Sequence, residues 1–161
     1  MTESSPVRIR IDVWRALLRT DPSAGPAIVR LALGAIMLAH GAGKLVEIPG
    51  FPGQGFTGTA AAFQGMGAPA PLAFLGVLNE ALAGVLLIPG LATRFAGLVV
   101  MGQMAAAGML SGHLAGGFFL PAGFEFELAL FAMGASLLVT GGGRWSLDRL
   151  LARQRPVRAL Q

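Results

Sequence analysis

The sequence predicts an all-α membrane protein: a four-transmembrane-helix bundle with N- and C-terminal amphipathic interfacial helices and a short outer-surface helix in the first outer loop. Three observations predict it. Hydrophobic residues make up 54% of the chain and charged residues only 12%, a balance suited to lipid rather than to a soluble domain. From Pro22 to Gly143 the only charged residues are Arg30, Lys44, Glu47, Glu80, Arg94, Glu125 and Glu127, so charge is concentrated at the two ends. Within that stretch, apolar runs long enough to cross a bilayer alternate with Gly- and Pro-rich segments.

Taken in order, Val7 to Thr20 places Val7, Ile11, Trp14, Leu17 and Leu18 on one helical face, with Arg8, Arg15 and Arg19 largely off it. That is the pattern of an interfacial helix. Ser23 and Pro26 supply a helix start, and the first crossing runs from Ala27 to about Val46. Glycine and proline dominate from Glu47 to Pro71, but TGTAAAFQGM can form a short helix whose Phe56, Ala60 and Phe63 share a face, lying as a lid on the outer surface. The second crossing is expected from about Pro71 to Leu91, its last turn loosened by Pro89, which lacks a backbone donor. A short turn at Ala92 to Arg94 returns the chain antiparallel through a third crossing, about Phe95 to Leu114. AGGFFLPAG is the second outer loop, and the fourth crossing spans about Phe124 to Thr140. The exit, GGGRWSLDRLLARQR, puts Trp145 at headgroup level and lets Ser146 cap a last amphipathic helix carrying Arg149 and Arg153.

The chain thus divides into an amphipathic segment (1–25), a four-helix domain (26–143) and a basic tail (144–161). Polar residues and arginines run to Arg19 with no small-residue cleavage site, so no cleavable signal is expected. With four crossings both termini share a side. That side carries Arg8, Arg10, Arg15, Arg19, Arg94, Arg144, Arg149, Arg153, Arg155 and Arg158, against Lys44 alone opposite, which makes it the cytoplasm. The basic charge belongs to the tails and suits anionic headgroups; without a basic stripe interleaved with aromatics, nucleic acid is not an expected partner.

The reactive inventory is small. The chain has no cysteine and no tyrosine and only two histidines, so thiol chemistry is excluded and no metal site is expected. Depth follows from a rise of about 1.5 Å per residue: His40 lies roughly 6 Å below Lys44, and Glu80 roughly 14 Å below Pro71. Nearly every ionisable group of the membrane region therefore falls in the outer half. An acid as deep as Glu80 costs about 2.5 kcal/mol or more to insert and is normally turned inward and partnered. Ala73, Gly76, Glu80, Gly84 and Leu87 form a small-residue stripe that turns it so. His40 and Lys44 share a face at i, i+4, and Lys44 also reaches Glu47. On the fourth helix a stripe of Glu125, Ala129, Ala132 and Ser136 makes Glu125 the inward acid and leaves Glu127 toward water or headgroups. Gln103 reads as an interhelical hydrogen bond, Arg30 and Arg94 as snorkelling cations, and His40 with His113 as a weak haem pair.

The strings RLALGAIMLAHGAGKL, GLATRFAGL, GGFFLPAGFEFEL and GRWSLDRLL, with Glu80 between the first two, resemble the DoxX family over roughly Arg30 to Leu151. Ala42 and Phe126 stand where that family often has an aromatic and a tyrosine. The resemblance implies a bacterial inner-membrane protein, similar to the membrane subunits of thiosulfate:quinone oxidoreductase, with a redox partner protein. Its polar pattern maps onto His40, Lys44, Glu80 and Glu125. The expected function is a membrane subunit of a quinone-linked oxidoreductase complex with no covalent cofactor. His40, Lys44, Glu80 and Glu125 handle protons in that reading, and His40, Lys44, Glu80, Phe56 and Phe63 receive a quinone head beneath a lid that includes Phe51. A non-catalytic anchor or assembly subunit is the alternative, and a small-molecule transporter the third.

Overall fold

The structure, a computed structural model, describes residues 18–47, 49 and 53–154. The amphipathic helix expected from Val7 therefore lies almost wholly outside the described residues, as do Phe51, Arg155 and Arg158. The described residues form six helices and no strand: α1 (Gly25–Leu45), α2 (Gly55–Gly65), α3 (Ala70–Leu87), α4 (Thr93–Leu110), α5 (Glu125–Thr140) and α6 (Leu147–Gln154). α1, α3 and α4 are long and apolar enough to cross a membrane, while α5 has 16 residues. Large apolar side chains such as Ile28, Val85, Phe95, Leu98, Met109 and Val139 stay more than half exposed, a surface suited to lipid.

Pro26 opens α1 with a fixed φ where no donor is needed, and the chain turns extended at Val46 to close it. α3 ends sooner than the apolar run suggests. Pro89 cannot donate to the next turn and Gly90 takes φ +71°, so regular helix stops at Leu87. α4 begins earlier than expected, at Thr93, after Ala92 has adopted the left-handed region at φ +49°. It also stops earlier, because Gly112 at φ +77° turns the chain away.

Two antiparallel pairs make the bundle, α1 with α3 and α4 with α5; contacts of α3 with α4 and of α1 with α5 close the ring. Small residues set the closeness of each pair. A Cβ on Gly41 would lie 2.6 Å from the Ala81 nitrogen, and one on Gly84 2.6 Å from the Leu38 nitrogen. Between α4 and α5, a Cβ on Gly97 would meet the Gly134 carbonyl at 2.7 Å. Backbones this close gain dispersion contact that bulkier residues forbid. Leu33, Met37, Leu87, Val100, Leu130 and Leu137 fill the centre, and α2 rests on α1 and α3.

The end of the bundle holding the α3–α4 turn is tied by polar groups. Arg30 does not snorkel: it is 2% exposed and donates to the carbonyls of Gly142 (3.0 Å), Leu87 (2.8 Å), Ile88 and Trp145 (3.2 Å). It thereby satisfies the carbonyls at the C-terminal end of α3, where the helix dipole favours a cation. Arg94, half-buried, does the same for Leu138 near the end of α5 and also donates to the Arg19 carbonyl at 2.8 Å. The snorkelling expected of Arg30 fails because the helix ends packed around it take their carbonyls out of water, whereas Arg94 stays partly exposed where it meets the Arg19 carbonyl. Asp148, itself buried, accepts from the Ala92 and Thr93 amides at 2.7 and 2.9 Å and so caps α4 from the far end of the chain. Ser146 Oγ accepts from the Arg149 amide at 3.3 Å at the start of α6.

Candidate functional site

At the opposite end of the bundle the last turn of α1 lies against the middle of α3. The close approach at Gly41 and Ala81 carries Lys44 within reach of Glu80, and Lys44 Nζ donates to Glu80 Oε1 at 2.5 Å. Glu80 occupies the buried face of α3 with Ala73, Val77, Ala83, Gly84 and Leu87. From α4, Gln103 Nε2 donates to the same Glu80 oxygen at 2.9 Å and to the Gly76 carbonyl at 3.1 Å. A carboxylate that is 5% exposed thus has a cation on one side and an amide on the other. Its second oxygen, Oε2, and Gln103 Oε1 are buried with no hydrogen-bond partner among the described residues.

Beside this triad is a cavity of about 600 Å³, within the range of small-molecule sites. α1 contributes Ala39, His40, Gly43 and Lys44; the α2 region contributes Gln54, Thr59, Ala62, Phe63 and Met66; α4 and its end contribute Ala107, Leu110 and Ser111. The walls are largely apolar. Lys44, a third exposed, brings its ammonium to the wall, whereas Glu80 stands behind it. α2 covers the space because Gly53 fits directly over the Gly43 backbone, where a side chain has no room. Thr59 Oγ1 donates to the Gly55 carbonyl at 2.8 Å and fixes the first turn of α2.

Of the residues singled out from sequence, the structure brings together His40, Lys44 and Phe63 at the cavity and Glu80 behind Lys44. Phe56 stands elsewhere, edge-on to Phe74 of α3 at 6.2 Å. Glu125 does not join the cluster. The loop before α5 curls back so that Leu120 N–H donates to Glu125 Oε1 at 2.9 Å. The acid expected to face water, Glu127, is the more enclosed: its side chain is 12% exposed and lies 2.5 Å from His113 Nδ1, with Oε2 buried and unpartnered. His40 stacks instead on Phe126, ring centroids 5.8 Å apart, so the two histidines serve different neighbours. Sequence reasoning missed the His113–Glu127 pair and the knot of Arg30 and Asp148. The one signal for the knot was Ser146 and Asp148 at a helix start, and the cap they imply is shared with α4.

The family model described as DoxX matches residues 25–114, from the start of α1 past the end of α4, with His40, Lys44, Glu80 and Gln103 inside. The chain belongs to the DoxX family. A second model, the TQO small subunit DoxD, matches residues 70–159 and so takes in α5, α6 and the Asp148 cap. An uncharacterized membrane protein of Mycobacterium tuberculosis is 31% identical over 153 residues, covering 88% of this chain and 90% of the relative. No solved structure gives a significant match. This DoxX-family chain is therefore a membrane protein, and Lys44, Glu80 and Gln103 join its α1, α3 and α4 through one carboxylate.

Proposed function

We propose that this DoxX-family protein is the membrane-embedded, quinone-binding subunit of an oxidoreductase complex. The observation that carries the reading is the apolar cavity with Lys44 in its wall and Glu80 holding Lys44 from behind. An ammonium has three donors, of which one goes to Glu80, leaving two for a ligand. Because the pair is neutral overall, it suits a neutral acceptor such as a quinone carbonyl better than an anion. Phe63, Met66 and Leu110 supply apolar walls for the ring, and His40 supplies a second polar edge. Electrons come from a partner protein with its own redox carrier. Two electrons and two protons convert the quinone to the quinol, and this chain binds the head and supplies protons. The match to the TQO small subunit supports a place in such a complex.

The same reading has four crossings in the bacterial inner membrane. α5 is about 24 Å long at 1.5 Å per residue, short for a core of about 30 Å. It packs closely on α4, and the bilayer thins around a short helix at modest cost. Arginines at the α3–α4 turn and around α6 put that end, and both termini, in the cytoplasm. The test is binding of decylubiquinone to the full chain in nanodiscs. Lys44→Met should weaken it about tenfold or more, the worth of one charge-assisted hydrogen bond. Equal affinity in wild type and variant removes the reading.

One observation favours a structural anchor instead: α6 exposes Leu147, Leu150 and Leu151 beside Arg149 and Arg153, while Asp148 fastens it to the bundle. An amphipathic, tethered helix of this kind can hold a partner at the membrane surface. Partner retention by a Lys44→Met variant that has lost quinone binding distinguishes the two roles.

A further inference from the structure

We propose that this protein self-associates in the membrane through the outward face of α3, with Asn79 of one copy paired to Asn79 of a second. Leu72, Leu75, Asn79, Leu82 and Leu86 recur along α3 at alternating steps of three and four residues. That is the repeat of a helix that meets another helix along a seam, here with one amide among the leucines. The seam is not used up inside the bundle: Leu72, Leu75 and Leu82 are 42%, 49% and 46% exposed. The buried stripe of α3 is a different one, made of Ala73, Val77, Glu80, Ala83, Gly84 and Leu87.

Asn79 is the tenth of the 18 residues of α3, so its amide sits near the middle of the span. Among the described residues it makes no hydrogen bond, whereas Arg30, Lys44, Glu80, Arg94 and Gln103, the other charged or amide side chains of α1, α3 and α4, all do. Lipid tails offer an amide neither donor nor acceptor, so the group needs a partner from outside the chain. Asn79 also lines a small cleft between α3 and α4, floored by Ala83 and Ala96 and rimmed by the exposed Leu82 and Phe95. At about 60 Å³ the cleft is far below the size of a small-molecule site, but it admits the tip of a side chain.

Depth and chemistry select a second copy as that partner. Copies inserted in one orientation carry Asn79 at one depth, so a two-fold axis along the membrane normal sets each Asn79 opposite the other. An amide is both donor and acceptor, so each side chain gives one bond and takes one. The leucines pack no better on each other than on lipid tails, which are equally apolar; the amide pair supplies the drive and fixes the register. The cleft and the Lys44 cavity share no lining residue, so pairing leaves the cavity of each copy untouched. Self-association is therefore independent of what that cavity binds.

The test uses the full chain in lipid vesicles, labelled through Thr57→Cys, a position exposed on α2. Energy transfer between donor- and acceptor-labelled copies is followed as the protein-to-lipid ratio is lowered. Asn79→Leu should keep the helical circular dichroism of wild type and move the midpoint about tenfold towards higher protein density, for the loss of two interhelical bonds. Asn79→Gln, which keeps the amide, should stay near wild type. In otherwise cysteine-free chains, oxidation should link Leu82→Cys copies in pairs and leave Val139→Cys, 74% exposed on α5, unlinked. Transfer at the level of random collision in wild type, which leaves the seam to a different protein, overturns the proposal. So does a midpoint unmoved by Asn79→Leu, or a disulfide at Val139→Cys in place of Leu82→Cys.

Discussion

Removing either partner of the Lys44–Glu80 pair should have unequal costs, because the two side chains are unequally buried. Lys44→Met leaves a carboxylate that is 5% exposed facing only Gln103. Stranding one member of a buried pair costs about 3–5 kcal/mol. Glu80→Leu leaves an ammonium that is already a third exposed at the cavity wall and can turn into it, and Gln103 keeps its bond to the Gly76 carbonyl. That change should cost about 1 kcal/mol, one ordinary hydrogen bond. The double variant removes both charges and should sit within about 1 kcal/mol of wild type, a coupling of about 3 kcal/mol or more. Equilibrium unfolding in mixed micelles, read by loss of helical circular dichroism, gives all four corners of the cycle. Equal single losses, or losses that simply add, would refute the pairing and with it the asymmetric burial.

Asp148→Ala should destabilise the fold by about 1–2 kcal/mol, since it removes the acceptor for two amides at the start of α4; thermal unfolding in detergent checks this. Ala92→Gly should stabilise by up to about 1 kcal/mol, because Ala92 occupies the left-handed region that glycine tolerates freely. Cysteines placed singly at Thr57 or Ala122, both exposed at the cavity end, should react with a membrane-impermeant maleimide only from outside the cell; labelling from the cytoplasm alone would invert the topology. The Ser23 amide, 2.7 Å from Asp21 Oδ1, holds the Asp21 carboxyl below its usual range. Its stabilising contribution is thus complete at neutral pH and is lost only as pH falls through that lowered value. The low-pH limb of a stability profile should therefore flatten in Asp21→Asn.

The apolar runs of α1, α3 and α4 were legible because lipid demands length and hydropathy, which are additive along the chain. Their ends were less so. Leu87 and Thr93 end and begin helices where Gly90 and the distant Asp148 dictate, and a cap offered from 55 residues away has no local pattern. Depth and cost marked Glu80 as an acid that needs a partner, and Lys44 was the nearest cation. Glu125 and Glu127 exchanged expected places because a small-residue stripe describes helix packing only. Here the loop decides: Leu120 offers its amide to one acid and His113 its ring to the other. Arg30 read as a surface cation since nothing in its own helix reveals that two other segments bring carbonyls to it.

The knot of Arg30, Gly142, Trp145 and Asp148 has a consequence for the order of synthesis. Arg30 leaves the ribosome early, and its carbonyl partner at Gly142 follows 112 residues later. Until then the nascent protein holds a cation that has only the Leu87 and Ile88 carbonyls to meet and, once Ala92 is made, a turn without its cap. Insertion is thus completed by the last-made part of the bundle, as a latch closes a case already filled. A chain released before Gly142 should remain a pair of loosely joined hairpins.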